Sequence, residues 1–483
     1  MSTITFLSTS APEEQGIPSG AFTNFLDAVE REIRDLHSVI LLRHGKVVAE
    51  GYWEPYGPDS PHMLFSLSKS FTSTAIGMLV ADGRLTVDDR VLDFFPDEAP
   101  PAPSENLKAM RVRDLLTMTT GHDPEPLRIG LNPGRNWAEA FLAHPVEFTP
   151  GTHFVYNSLA TYMLSAIAQR LSGQRLVHYL QPRLFEPLGI EGATWDTSPQ
   201  GIDVGGWGLK IRTRDIARFG QLYLQKGEWH GQRLIPETWV NEATSRQVPN
   251  GPSENADWEQ GYGYQFWRCR HGAYRGDGAF GQFCVVFPEQ DAVLAITAGV
   301  GTMQAVLDLV WAHLLPVMGK ADLPSDLLAA STLEKRLGSL QLAPVAGRAG
   351  TARAAELAGR TFAIASNPQR IEAIRFDFAD DGCNIAIRDD RGEQTVRTAY
   401  RGWARGEATA FQVRDVPVTR VLPNRLAASS AWVDDSTFVV NLTWFETPFR
   451  QTLTCHFDGN RLRIDQAMNV AFAPVELPTL EGS

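Results

Sequence analysis

Long apolar runs are missing from this chain of 483 residues: no stretch approaches the roughly 18 to 20 consecutive apolar residues that a membrane helix requires, so a membrane partner is not expected. Met1 to Ile17 lack both a basic start and an apolar segment of signal-peptide length, and the expectation is a cytoplasmic protein. Basic charge is in deficit. Lys+Arg number 44 against 56 Asp+Glu, a net charge of −12. With a pI near 5.5 this disfavours nucleic acid and anionic membranes as partners. Cysteine is sparse. Cys269, Cys284, Cys383 and Cys455 are far apart and form no Cys-x-x-Cys pair, so they read as reduced core residues rather than as disulfides or metal ligands. The 11 histidines form no His-x-x-x-His or similar cluster, which argues against a metal site. Gly-x-Ser-x-Gly and the phosphate-binding Gly-x-x-x-x-Gly-Lys-Ser/Thr are also absent, so neither an α/β-hydrolase elbow nor a P-loop is available. No cofactor is expected.

What remains is an ordinary globular composition, 43% hydrophobic and 21% charged, long enough for about three domains or two if one is large. Ala21, Phe22, Phe25, Leu26, Val29, Ile33 and Leu36 recur at the helical period and predict an amphipathic helix. Ser38–Arg43 and Val47–Tyr52 read as a hairpin joined through His44-Gly45-Lys46. A helical run from about Ser66 to Ala81 follows. Later, Gln282–Phe287 and Ala292–Thr297 form a second hairpin, and Gln304–Leu315 reads as a helix. This pattern suggests an antiparallel sheet covered by helices, with a helical insertion between the hairpins, over residues 1–330. Residues 331–360, rich in Ala, Gly and Arg, read as a linker with some weak helix. Residues 361–483 alternate apolar and polar positions between Asp/Gly turns, which predicts an all-β domain of barrel or sandwich type.

Three segments can carry chemistry. Ser66-Leu-Ser-Lys69 opens a helical run, so hydroxyl and amine share a face one turn apart. A lysine serves as base only if burial or a neighbouring cation depresses its usual pKa of about 10.4. The plainer reading is a helix cap beside a solvated lysine. Tyr156, in Tyr156-Asn157-Ser158 before the apolar run Leu159–Leu171, can relay a proton between a nucleophile and a leaving group, or can simply pack at a loop-to-helix junction. Gly276-Asp277-Gly278, before the strand at Gln282, allows a substrate backbone to come close, though a plain glycine-rich turn explains it equally well.

In this order the three segments resemble the serine hydrolases of the beta-lactamase and penicillin-binding type, in the branch of class C beta-lactamases, DD-peptidases and esterases. The similarity runs from about Pro12 to Leu315 and extends through Arg113–Gly121 and Gly205-Gly206-Trp207-Gly208-Leu209. It implies an α+β fold: a five-stranded antiparallel sheet flanked by helices, with an all-helical subdomain, followed here by a barrel-like all-β domain. It makes Ser66 the acylated nucleophile and lets Lys69 and Tyr156 share the base and acid roles. The oxyanion hole would use the N–H groups of Ser66 and Ala279. Substrate contacts would come from Asn157, Ser158, Arg275, Gly276, Asp277, Gly278 and Trp207, with Tyr262 and Trp267 as further aromatic candidates.

Two departures bear on substrate. The family's Tyr-x-Asn has its asparagine where Ser158 stands, and the basic residue of its Lys-Thr-Gly or His-Thr-Gly box is missing unless Arg275 substitutes for it. Both favour an esterase, or an amidase for uncharged substrates, over an efficient beta-lactamase, since Asp277 would repel a substrate carboxylate, and the expectation is a carboxylesterase for small acyl esters. The alternatives are a hydrolase of linear amides, oligoamides or D-peptides, a weak beta-lactamase, or a non-catalytic binding or sensor protein. Oligomeric state and the role of the last domain are not readable, and Trp403, Trp432 and Trp444 read mainly as core.

Overall fold

The first helix of the computed structural model, α1 (Ser19–Glu32), buries Phe22, Phe25, Leu26 and Val29, the face expected from the period, but stops before Ile33 and Leu36. Arg34 takes a left-handed backbone (φ 66°), which reverses the chain, and Leu36 instead opens a strand. The structure describes residues 7–126, 134–319, 321–409, 411 and 425–483.

The central sheet has seven strands rather than five. They are β1 (Ser8–Thr9), β2 (Leu36–Arg43), β3 (Lys46–Tyr52), β4 (Trp267–Arg268), β5 (Tyr274–Gly278), β6 (Gln282–Phe287) and β7 (Ala292–Ala298), in the order β1-β3-β2-β7-β6-β5-β4. The inner five, β3 to β5 in that order, are antiparallel throughout. The extra two are two-residue edges, β1 parallel to β3 and β4 antiparallel to β5. Two residues cannot display an alternating pattern, which is why the sequence does not announce them.

β2, β6 and β7 are buried along their whole length because both faces are covered. Between the two hairpins lie α2 (Ser68–Ala81), α3 (Ser158–Ser172) and α4 (Thr213–Leu224). After β7 comes α5 (Met303–Leu309). Side chains divide at the two-residue period of a strand. Ile40, Leu42, Val293 and Ala295 pack with Phe71 of α2 and Phe219 of α4. Val39, Leu41, Leu294 and Ile296 pack with Phe22 and Phe25 of α1 and Val306 of α5. α2 is buried on nearly every side, so its sequence is apolar or small all round instead of amphipathic. Among the described residues no helix is long and apolar enough to cross a membrane, and the four cysteines are free and buried.

Residues 327–338 and 352–357 are helical. Beyond them ten strands form one nearly closed, barrel-shaped sheet: β8 (Thr361–Ala363), β9 (Ile371–Phe378), β10 (Gly382–Asp389), β11 (Gly392–Ala399), β12 (Ala404–Glu407), β13 (Arg425–Trp432), β14 (Thr437–Thr443), β15 (Arg450–Asp458), β16 (Arg461–Met468) and β17 (Glu476–Gly482). Ala363 and Ser483 exchange backbone hydrogen bonds and so join its first and last strands. Trp432 and Trp444 fill its core, as their alternating placement suggests.

The barrel docks on the hydrolase-like unit through polar contacts. Arg450 pairs with Asp35 at 2.9 Å, and the Tyr56 hydroxyl donates to the Thr447 carbonyl. Beneath them Tyr56 stacks on His37, whose Nδ1 lies 3.1 Å from His62 Nε2. His62 Nδ1 faces the Met63 carbonyl at 3.0 Å and must donate to it, so Nε2 of the neutral ring accepts from His37. Protonating His62 would set two N–H groups against each other. Burial holds both imidazoles below their ordinary pKa, His62 at about 4. Because the folded values lie below the unfolded one of about 6.5, this stabilisation is complete above that pH and is lost as pH falls below it. The unfolding free energy from denaturant titration should therefore fall between pH 7.5 and 5, by about 2 kcal/mol from His62, and His37→Asn, which keeps a donor, should make the fall shallower.

Candidate active site

Ser66 stands in a short 3-10 turn, Phe65–Leu67, that runs straight into α2. Phe65 is left-handed (φ 48°), a costly backbone for a bulky residue. It is held there by edge-on contacts with Phe280, Phe449 and Phe472. The turn is also pinned from the other side. Leu64 N–H donates to the Leu209 carbonyl, and Leu209 N–H donates to Ser68 Oγ.

Lys69, one turn along α2, is 1% exposed. Its Nζ lies 3.0 Å from Ser66 Oγ, 3.2 Å from Ser158 Oγ and 2.8 Å from the Gly206 carbonyl. That carbonyl can come so close because residue 206 has no side chain: a Cβ there would sit 2.7 Å from the Ser158 carbonyl. Among the described residues no carboxylate forms an ion pair with the amine. Burial therefore dominates and pushes Lys69 down to about 7, against the opposing fields of Glu125 and Asp277. A neutral amine has two N–H groups and one lone pair. With the N–H groups on Gly206 and Ser158, the lone pair faces the Ser66 hydroxyl.

Tyr156 lies beside them, its ring centroid 4.8 Å from Lys69 Nζ and stacked on Trp267. Burial, with Asp277 nearby, raises its phenol far above the usual range and outweighs the hydrogen bond it shares with Ser66. It is a proton donor at neutral pH. Opposite lies β5, whose glycines let it press against the turn that carries Ser66. A Cβ on Gly278 would meet the Leu64 carbonyl at 2.0 Å, and one on Gly276 would meet Leu67 and Ser70 at 2.5 Å.

A cavity of about 570 Å³ opens onto Ser66, Tyr156, Ser158, Trp207, Asp277 and Ala279. Of the side chains expected from sequence to contact substrate, three do not line it. Asn157 is buried as the cap of α3, its side-chain oxygen accepting from Ala160 N–H and its amide donating to Thr120. Arg275 is 0% exposed and engaged with Asp277 Oδ2, the Asp257 carbonyl and Cys269, its guanidinium 4.1 Å from the Trp258 ring centroid. It gives the cavity no free cation. Tyr262 sits behind Trp267 in an edge-on contact. The structure also supplies wall residues that sequence reasoning missed: Glu125, Phe65, Trp258, Met303 and Phe472. Glu125 Oε2 accepts the Ser158 N–H at 2.9 Å, and burial raises its pKa. Among the described residues no cluster of His, Cys, Asp or Glu could hold a metal ion.

A serine and a tyrosine gathered around a buried lysine, beside a glycine-bearing strand at the junction of a mixed sheet and a helical insertion, is the arrangement of a serine hydrolase. The family model for Beta-lactamase matches residues 12–308, and the chain belongs to that family. Over 308 residues it is 25% identical to the 6-aminohexanoate-dimer hydrolase of Paenarthrobacter ureafaciens, covering 59% of this chain and 78% of that one. It is 28% identical over 189 residues to esterase EstB of Burkholderia gladioli, 34% of this chain and 48% of the esterase. The octameric penicillin-binding protein homologue of Pyrococcus abyssi shares the fold over 96% of this chain and 99% of its own, at a TM-score of 0.50 and 15% identity. That match takes in the carboxy-terminal barrel as well as the sheet unit.

The close approach of β5 can be checked without an assay. Gly278→Ala is expected to lower stability by about 1 to 3 kcal/mol in denaturant titration, because its Cβ meets backbone and not a mobile side chain. Gly301→Ala, with nothing within 4 Å, should be neutral within about 0.5 kcal/mol.

Proposed function

We propose that the protein is a carboxylesterase that hydrolyses small acyl esters through a Ser66 acyl-enzyme. The observation that carries this reading is the 3.0 Å approach of Ser66 Oγ to Lys69 Nζ, an amine whose pKa burial has brought down to about 7. Neutral Lys69 takes the Ser66 proton as Oγ attacks the ester carbonyl. The N–H groups of Ser66 and Ala279 hold the oxyanion, which exists only after attack, so they act on rate more than on affinity. Collapse expels the alkoxide, which takes the Tyr156 proton, and Lys69 returns a proton to the phenolate. A water deprotonated by the same pair then attacks the acyl-enzyme, and Ser66 leaves as alkoxide and is reprotonated.

Charge supports an uncharged substrate over a beta-lactam. Arg275 is occupied by Asp277 and two further acceptors, while the carboxylates of Asp277 and Glu125 border the cavity. A substrate carboxylate would meet repulsion without a compensating cation. The same Glu125 carboxylate favours a second reading, a linear amide carrying an amine, and the 6-aminohexanoate-dimer hydrolase similarity supports it. The four free, buried cysteines support a reducing, cytoplasmic setting.

Mixing the protein with p-nitrophenyl acyl esters is expected to give a burst of p-nitrophenol and an acyl adduct by intact mass, both lost in Ser66→Ala. Absence of both across short and long acyl chains would overturn the ester reading, and turnover of an amino-terminated oligoamide would then favour the second. No adduct with either would leave a binding protein. Because the working form of Lys69 is the neutral amine, kcat/KM should rise about tenfold per pH unit up to about 7 and then level. A benzylpenicillin-type substrate should be turned over at least about 100-fold less well than the best ester, a gap on the order of 2.7 kcal/mol.

A further inference from the structure

The barrel domain reaches the catalytic cavity. Phe472 lies in the connection between β16 and β17, is 65% exposed, and still lines the same space as Ser66 and Ala279. Its ring contacts Phe280 (4.7 Å between centroids) and Phe65 (5.8 Å), the residues adjoining Ala279 and Ser66. A phenyl ring so exposed earns little from folding, and a second observation shows that its place is fixed. Asn469, three residues earlier, donates to the Gly299 carbonyl beyond β7 and to the Pro448 carbonyl, and its side-chain oxygen accepts Arg450 N–H. Residue 299 has no room for a side chain at this seam: a Cβ would lie 2.5 Å from the Pro448 carbonyl and 2.6 Å from Asn469 Nδ2. Asn469 is thus a positioning residue that clamps the start of the connection to the end of the catalytic sheet.

We propose that Phe472 is a specificity-determining residue of the cavity, the wall on which the apolar acyl chain of the substrate packs, so that the barrel selects medium-length acyl esters over acetates. This rests on the ester reading. The side of the cavity follows from the proton path. The leaving group must lie by Tyr156, whose stacked neighbour is Trp267, which leaves the wall beside the residues flanking Ser66 and Ala279 to the acyl group. Each methylene that packs there is worth about fourfold in kcat/KM.

The test compares kcat/KM for p-nitrophenyl octanoate and p-nitrophenyl acetate in the full-length wild type, Phe472→Ala and Phe472→Leu. The octanoate-to-acetate ratio is expected to fall about tenfold in Phe472→Ala with acetate changed less than about twofold, and Phe472→Leu should restore most of it. A change equal for both esters, or a ratio that is unchanged or higher, overturns the proposal. Tryptophan fluorescence titration with n-octylboronic and methylboronic acids reads the same wall without turnover. If the wild type hydrolyses no ester, the parent reading fails alone. The assignment of Phe472 as the wall for an apolar chain then stands if Phe472→Ala weakens octylboronic acid about tenfold more than methylboronic acid, and falls if both change alike.

Discussion

An amine removed from water and, among the described residues, given no ion pair is the constraint around which this site is arranged. A charged Lys69 would cost several kcal/mol in its position, so the fold holds it near neutrality and gives it polar neighbours instead of a counter-ion. Those neighbours come from three separate parts of the chain: Ser66 before α2, Ser158 at the start of α3, and the carbonyl of Gly206. Each demands something of its surroundings. Gly206 must be bare for its carbonyl to arrive, Asn157 must cap α3 so that Ser158 faces inward, and α2 must be buried all round to keep water from the amine. Desolvation wins over the attraction of Glu125 and Asp277 because neither carboxylate reaches the amine.

The turn that carries Ser66 is a second point of convergence, and there the barrel takes part. Met63 N–H donates to the Glu446 carbonyl, and Phe65 meets Phe449 and Phe472. The left-handed backbone at Phe65 is tolerable because rings from both halves of the molecule surround its side chain. Ser66 is thus set by the helix behind it, the glycine-bearing strand opposite it and the barrel beside it. A carboxy-terminal domain that touches the residue before Ser66 is part of the architecture of the candidate site.

Much of this was legible because it is local. Ser66 and Lys69 are found from a spacing that one helical turn dictates, and β2, β6 and β7 appear as continuous apolar runs because both their faces are covered. Tyr156 was legible only in company with the other two segments. What was not legible depends on contacts that periodicity does not encode. Glu125 is one acid in a loop, and Phe472 one aromatic in a turn of a different domain. Arg275 is instructive in the other direction. As a residue type it looks like a substrate-binding cation, yet it stands two places from Asp277 on one strand, so the two side chains share a face and pair with each other. Strand geometry gives that pairing a mechanism, and the pairing withdraws the cation.

That withdrawal decides the electrostatic character of the cavity. Arg275 and Asp277 cancel as a buried pair, Lys69 is poised near neutrality, and Glu125 is raised by the same desolvation that lowers the lysine. Most of the remaining wall is aromatic: Phe65, Tyr156, Trp207, Trp258, Trp267 and Phe472. Such a cavity has little fixed charge with which to hold an anion. On the proposed mechanism its useful charge would appear only in the tetrahedral state, when the oxyanion forms and the proton moves to Lys69. On the proposed mechanism, an apolar ground state that gains an ion pair during reaction would spend its binding on the transition state, which is the condition for rate enhancement.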